Sequence, residues 1–171
     1  RILALAALVF VAGCSQEVAQ VVVLVATDYT VPMEMGGVRA VGQSDSGDVS
    51  TTDFDLLNDS IRPPFSFGLR PEDPEERTDA VLELEAMGPG VDGMLQISRE
   101  FVEFPEEVTY LLPMFIPRIC AGQVCPQGRT CSIDGQCVSN EVRVSDLQQI
   151  DDEGEELVPN ECMVGTRRCR D

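Results

Sequence analysis

Ala80, Leu82, Leu84 and Ala86 alternate with Val81, Glu83, Glu85 and Met87, setting an apolar face against a largely polar one. Only an extended strand puts side chains two residues apart on the same face. The same period runs through Phe65, Phe67 and Leu69 against Ser66, Gly68 and Arg70, and through Leu95 and Ile97 against Gln96 and Ser98. Further candidate strands lie at 20–27, 36–42, 50–57 and 107–116. Turn signals separate them: Gly36-Gly37, Asp45-Ser46-Gly47, Pro71-Glu72-Asp73-Pro74 and Gly88-Pro89-Gly90. Short strands at this spacing predict an all-β fold, a seven-stranded antiparallel β-sandwich over residues 20–117. No amphipathic helix of useful length competes. Pro63, Pro64 and Pro113 are expected at sheet edges, because proline donates nothing to a ladder.

Ahead of the sandwich, Arg1 is followed by an unbroken apolar run from Ile2 to Gly13 and then by Cys14. Such a run makes roughly 18 Å of helix, short of a hydrocarbon core of about 30 Å. It fits the apolar region of a signal peptide, with a few residues of the positively charged region expected before Arg1. Val11-Ala12-Gly13-Cys14 resembles the lipobox of bacterial lipoproteins. That resemblance implies cleavage between Gly13 and Cys14 and diacylglycerol on the Cys14 thiol, with palmitate among the acyl chains. Residues 1–13 are then the signal peptide and 14–19 a lipidated tether. Ser15, where the family reserves Asp for inner-membrane retention, implies the outer membrane, facing the periplasm or the cell surface. Several acyl chains exceed what stable anchoring requires. A tether of 15–19 spans less than roughly 20 Å and keeps the sandwich close to the bilayer.

The sandwich itself resembles, in strand pattern only, the immunoglobulin- or transthyretin-like domains of bacterial surfaces. It has no Cys…Trp…Cys core, because the chain contains no Trp.

Residues 118–140 form a second unit with Cys120, Cys125, Cys131 and Cys137, and Pro126, Gly128 and Gly135 supplying turns. Cys162 and Cys169 follow within the stretch 141–171, which is expected to be an acidic linker with a terminal cysteine pair. With Cys14 set aside, six of the 7 cysteines remain, an even number in an exported chain, and disulfides are expected. Zinc fits poorly, since the paired two-residue cysteine knuckles are missing. A segment this short buries no core of its own and needs covalent staples. Four cysteines by themselves allow three connectivities. The pattern Cys125-Pro126-x-Gly128…Cys131 with Gly135-x-Cys137 resembles small EGF-like modules. That resemblance implies the interleaved pairing of Cys120 with Cys131 and Cys125 with Cys137, which leaves Cys162 for Cys169.

Composition restricts the chemistry. The 171 residues hold no His, and all 12 basic residues are Arg, against 30 Asp and Glu. Nucleophiles paired with His, Schiff-base lysines and P-loop lysines are therefore excluded. A net charge of -18 makes nucleic acid an unsuitable partner. Asp45-Ser46-Gly47 spells an aspartic-protease motif, but its polar flanks and lack of a second copy favour a hairpin turn. The run from Asp151 to Glu156 lacks the alternating ligands of a calcium loop and fits a hydrated linker. Pro71–Arg77 fits an exposed loop, Asn58-Asp59-Ser60 is a sequon by letter only, and Arg167, Arg168 and Arg170 form the only basic cluster. The expected protein is a non-enzymatic, membrane-anchored lipoprotein of the bacterial envelope, without cofactor or bound metal. Its role is structural or protein-binding, with a protein partner and contact to the membrane through Cys14. The competing readings are a calcium-dependent adhesion module, using Asp45, Asp48 or residues 151–156, and a carboxylate- or metal-dependent hydrolase.

Overall fold

Leu82, Leu84 and Ala86 are buried while Val81, Glu83 and Glu85 are half-exposed, so the alternation does mark an inward face. The computed structural model describes residues 20–58, 61–70, 79–91, 95–102 and 108–150. Seven strands follow one another: β1 (Gln20–Thr27), β2 (Gly37–Ser44), β3 (Val49–Asp55), β4 (Phe65–Leu69), β5 (Ala80–Met87), β6 (Leu95–Val102) and β7 (Thr109–Ile116). After a 3₁₀ turn at Arg118–Cys120 come the short strands β8 (Arg129–Cys131), β9 (Cys137–Ser139), β10 (Glu141–Arg143) and β11 (Gln148–Ile150).

The strands form a four-stranded sheet ordered β11-β7-β1-β4, a five-stranded sheet ordered β10-β6-β5-β2-β3, and the hairpin β8-β9. One hydrophobic core joins the two larger sheets. Val21, Val23, Val25, Leu112 and Met114 come from the first, and Val38, Leu82, Leu84, Ile97 and Phe101 from the second. Tyr29 and Met35, from the connection between β1 and β2, are buried in the same cluster.

The all-β expectation holds, but the expected strand count and direction need correction. Among the described residues nine strands build the two larger sheets, and both sheets are mixed. β1 runs parallel to β7 over all eight residues, from Gln20 beside Thr109 to Thr27 beside Ile116. β10 runs parallel to β6. Period two reports which face is buried and says nothing about chain direction. Parallel neighbours require a long crossover, and here β2 to β6 lie between β1 and β7. Residues 141–150, expected in the acidic linker, instead supply β10 and β11. Three-residue strands are too short to show a period.

Pro113 also departs from its expected place, for β7 is an interior strand. It lies beyond Leu111, the last β7 residue paired with β11, and is exposed there. Its missing N–H therefore costs no bond to β11. Pro63 and Pro64 directly precede β4, which is an edge strand as expected.

Candidate functional site

The cysteine block starts where β7 ends. Cys120 bonds to Cys131 and Cys125 to Cys137, with Cα separations of 6.0 and 5.6 Å. The two bridges interleave across the β8-β9 hairpin, in which Cys131 pairs with Cys137. The intervening turn is closed by Ser132, whose N–H donates to the Gln136 carbonyl, and by Gly135 in the left-handed region at φ 74. These four cysteines are therefore committed to sulfur–sulfur bonds and are not thiolate ligands for zinc.

The block is not a loose appendage. Cys120 is 0% exposed and Cys131 4%, and both belong to the core cluster shared by the sheets. The Ser98 N–H of β6 donates to Thr130 Oγ1 at 3.0 Å, and the Glu100 N–H donates to the Asn140 carbonyl at 2.9 Å. Asn140 is also buried, and its Nδ2 donates to Ser98 Oγ at 3.4 Å. Thr130 and Asn140 are the buried polar side chains of the described residues, and both serve this joint.

A second cluster anchors the start of the block. The Arg118 N–H donates to Asp28 Oδ1 at 2.6 Å, and its guanidinium donates to the Asp28 carbonyl and to Glu34 Oε2. The guanidinium carbon lies 5.3 Å from the Tyr29 ring centroid, a cation–π distance. Hydrogen bonding from Thr30, and then the charge of Arg118, hold the Glu34 carboxyl below its usual value. Nothing in the sequence singles out these residues, because Asp28 and Arg118 are 90 positions apart. Met33 and Ile119, 74% and 63% exposed, flank the cluster in sequence.

The remaining candidates divide cleanly. Asp45-Ser46-Gly47 is the β2–β3 hairpin turn: Ser46 Oγ donates to Asp48 Oδ2 at 2.7 Å, and Gly47 takes φ 89. Asp45 and Asp48 meet no third ligand, for no group of three metal-binding side chains converges among the described residues. Asn58 Nδ2 donates to Asp55 Oδ2. Gly13, Cys14, Cys162, Cys169, Asp59, Ser60, the loop from Pro71 to Arg77, the 151–156 cluster and Arg167 to Arg170 lie outside the described residues. Among the described residues no helix is long and apolar enough to cross a membrane.

No family model, curated protein or solved structure matches the chain.

Proposed function

We propose that this chain is a lipid-anchored, non-enzymatic protein of the bacterial cell envelope with a structural or protein-binding role. Cys14 carries the lipid after cleavage at Gly13, and the outer membrane is its site. The observation that carries this reading is the pair of disulfides at Cys120–Cys131 and Cys125–Cys137. Disulfides persist in oxidising compartments, which an exported lipoprotein reaches. The absence of His and Lys from the whole sequence supports a binding role over catalysis.

We read the two sheets as the layers of a β-sandwich closer to the transthyretin-like than to the immunoglobulin-like type. In the immunoglobulin arrangement the first strand shares a sheet with the second and fifth. Here β1 lies between β4 and β7, while β2 and β5 are neighbours in the other sheet.

The anchor is tested by labelling cells with radioactive palmitate. The wild-type chain is expected to take up label and to be processed, while Cys14→Ala takes up none and accumulates as precursor. Equal labelling of the two overturns the proposal.

A further inference from the structure

The edges of the two sheets are protected unequally. β10 and β11 are three residues each, and the chain crosses between them through a 3₁₀ turn at Val144–Asp146, closing that side. On the other side β3 is seven residues long and pairs with β2 in continuous register, from Gly37 beside Asp55 to Gln43 beside Val49. Among the described residues no strand pairs with its outer edge.

Hydrogen-bond parity shows which groups face outward. The Leu56 N–H donates to the Gly36 carbonyl, and the Ser44 N–H to the Asp48 carbonyl. Bonded pairs alternate with non-bonded ones in an antiparallel ladder. Ser50, Thr52 and Phe54 therefore spend their N–H and C=O groups on β2. Thr51 and Asp53 turn theirs away, as do Val49 and Asp55 at the strand ends. The Arg39–Asp53 ion pair at 2.8 Å fits this parity, because side chains approach most closely at non-bonded positions.

Edge strands are ordinarily blunted by proline, lysine, a bulge or shortness. β3 has none of these; its charges are the acids Asp53 and Asp55, which oppose an acidic neighbour and not a basic one, and Val49, Ser50, Thr51, Thr52 and Asp53 are all exposed. The hairpin is also one-sided in charge: residues 37–55 hold Asp45, Asp48, Asp53 and Asp55 against Arg39 alone. A second copy would bring the same four aspartates, Asp45, Asp48, Asp53 and Asp55, against this edge.

We propose that the outer edge of β3 is a docking site for an extended, basic segment of another protein, which adds as a strand beside Val49–Asp55. Main-chain bonds to Thr51 and Asp53 supply the pairing, as in other strand-addition complexes. Lysine or arginine side chains of the added strand answer the aspartates. This deepens the protein-binding part of the proposed function and requires nothing of the lipid.

The test uses the full chain in detergent with a synthetic eleven-residue peptide alternating Lys with Val and Thr. Amide hydrogen exchange is read residue by residue. Saturating peptide is expected to slow Thr51 and Asp53 about tenfold, leaving Ser50, Thr52 and Phe54 unchanged because β2 already protects them. Methylating alternate peptide nitrogens is expected to abolish the effect without altering the protein. Thr51→Pro is expected to abolish it too, with an unchanged melting temperature, since the lost N–H makes no bond to β2. Absence of protection at Thr51 and Asp53 overturns the site. Equal protection by a Glu-for-Lys peptide overturns the basic partner, and protection that rises with protein concentration alone overturns it in favour of a second copy. None of these readouts depends on palmitate, so the anchor and the edge stand or fall separately.

Discussion

Ser98 and Thr130 are joined by one hydrogen bond across 32 residues, with the β6 main chain donating to a threonine hydroxyl that is 2% exposed. It is one of three hydrogen bonds through which Thr130 and Asn140 join the disulfide block to β6. Thr130→Val keeps the shape and removes the acceptor, leaving the partly buried Ser98 N–H unsatisfied. The expected cost is about 1–3 kcal/mol in urea unfolding. Thr130→Ser keeps the hydroxyl and is expected to lose less.

The two disulfides close loops of nearly equal size, with sequence separations of 11 and 12. Loop entropy therefore contributes almost equally to both, about 3 kcal/mol each. Cys120 and Cys131 lie in the core, whereas Cys125 and Cys137 are half-buried. Replacing Cys120 and Cys131 together by Ala is expected to destabilise more than the same change at Cys125 and Cys137, because it also leaves a cavity. Denaturation midpoints of the two double variants measure the difference.

Glu34 gains hydrogen bonds from Thr30 and the charge of Arg118 on folding, so its carboxyl is held below the ordinary value of 4.5. A lowered folded-state value stabilises fully above the unfolded-state value and is lost as pH falls through the folded one. Stability is thus expected to decline below about pH 4.5, for Glu34 and, with a lower onset, for Asp53 beside Arg39. Glu34→Gln should flatten the acid limb of a plot of melting temperature against pH, while remaining less stable than wild type at pH 7.

Gly88 and Gly47 both have positive φ, at 154 and 89. A Cβ at Gly88 would lie 2.5 Å from the Glu34 carbonyl oxygen and 2.7 Å from the Gly36 nitrogen, whereas at Gly47 nothing lies within 4 Å. Gly47→Ala is expected to cost about 1–2 kcal/mol from backbone strain alone. Gly88→Ala should cost distinctly more, because main chain cannot move aside as a side-chain tip can. Paired urea unfolding curves compare them.

Strand positions are legible in the sequence wherever one face is buried, as at Leu82, Leu84 and Ala86 or at Leu95 and Ile97. What escaped has physical reasons. β10 and β11 owe their place to Val142 and Leu147 packing on the core, single contacts with no period. The parallel union of β1 with β7 depends on chain direction, which apolar runs do not encode. The cysteine block looks self-contained because its spacing is local, yet Cys120 and Cys131 also serve as core residues. Tyr29 and Met35 are lone apolar residues in a connection, and Arg118 finds Asp28 and Glu34 only once β1 and β7 lie side by side.

Gln20 and Ile150 both pair with Thr109, one on each side of β7. A pull on the chain ahead of Gln20 therefore runs along β1, flanked by β7 on one side and β4 on the other. The ladder bonds lie across that line, so they bear the load together, in shear, and do not peel apart one at a time. A strand so clamped resists traction far better than a terminal hairpin would, as the anchor proposed at Cys14 would require.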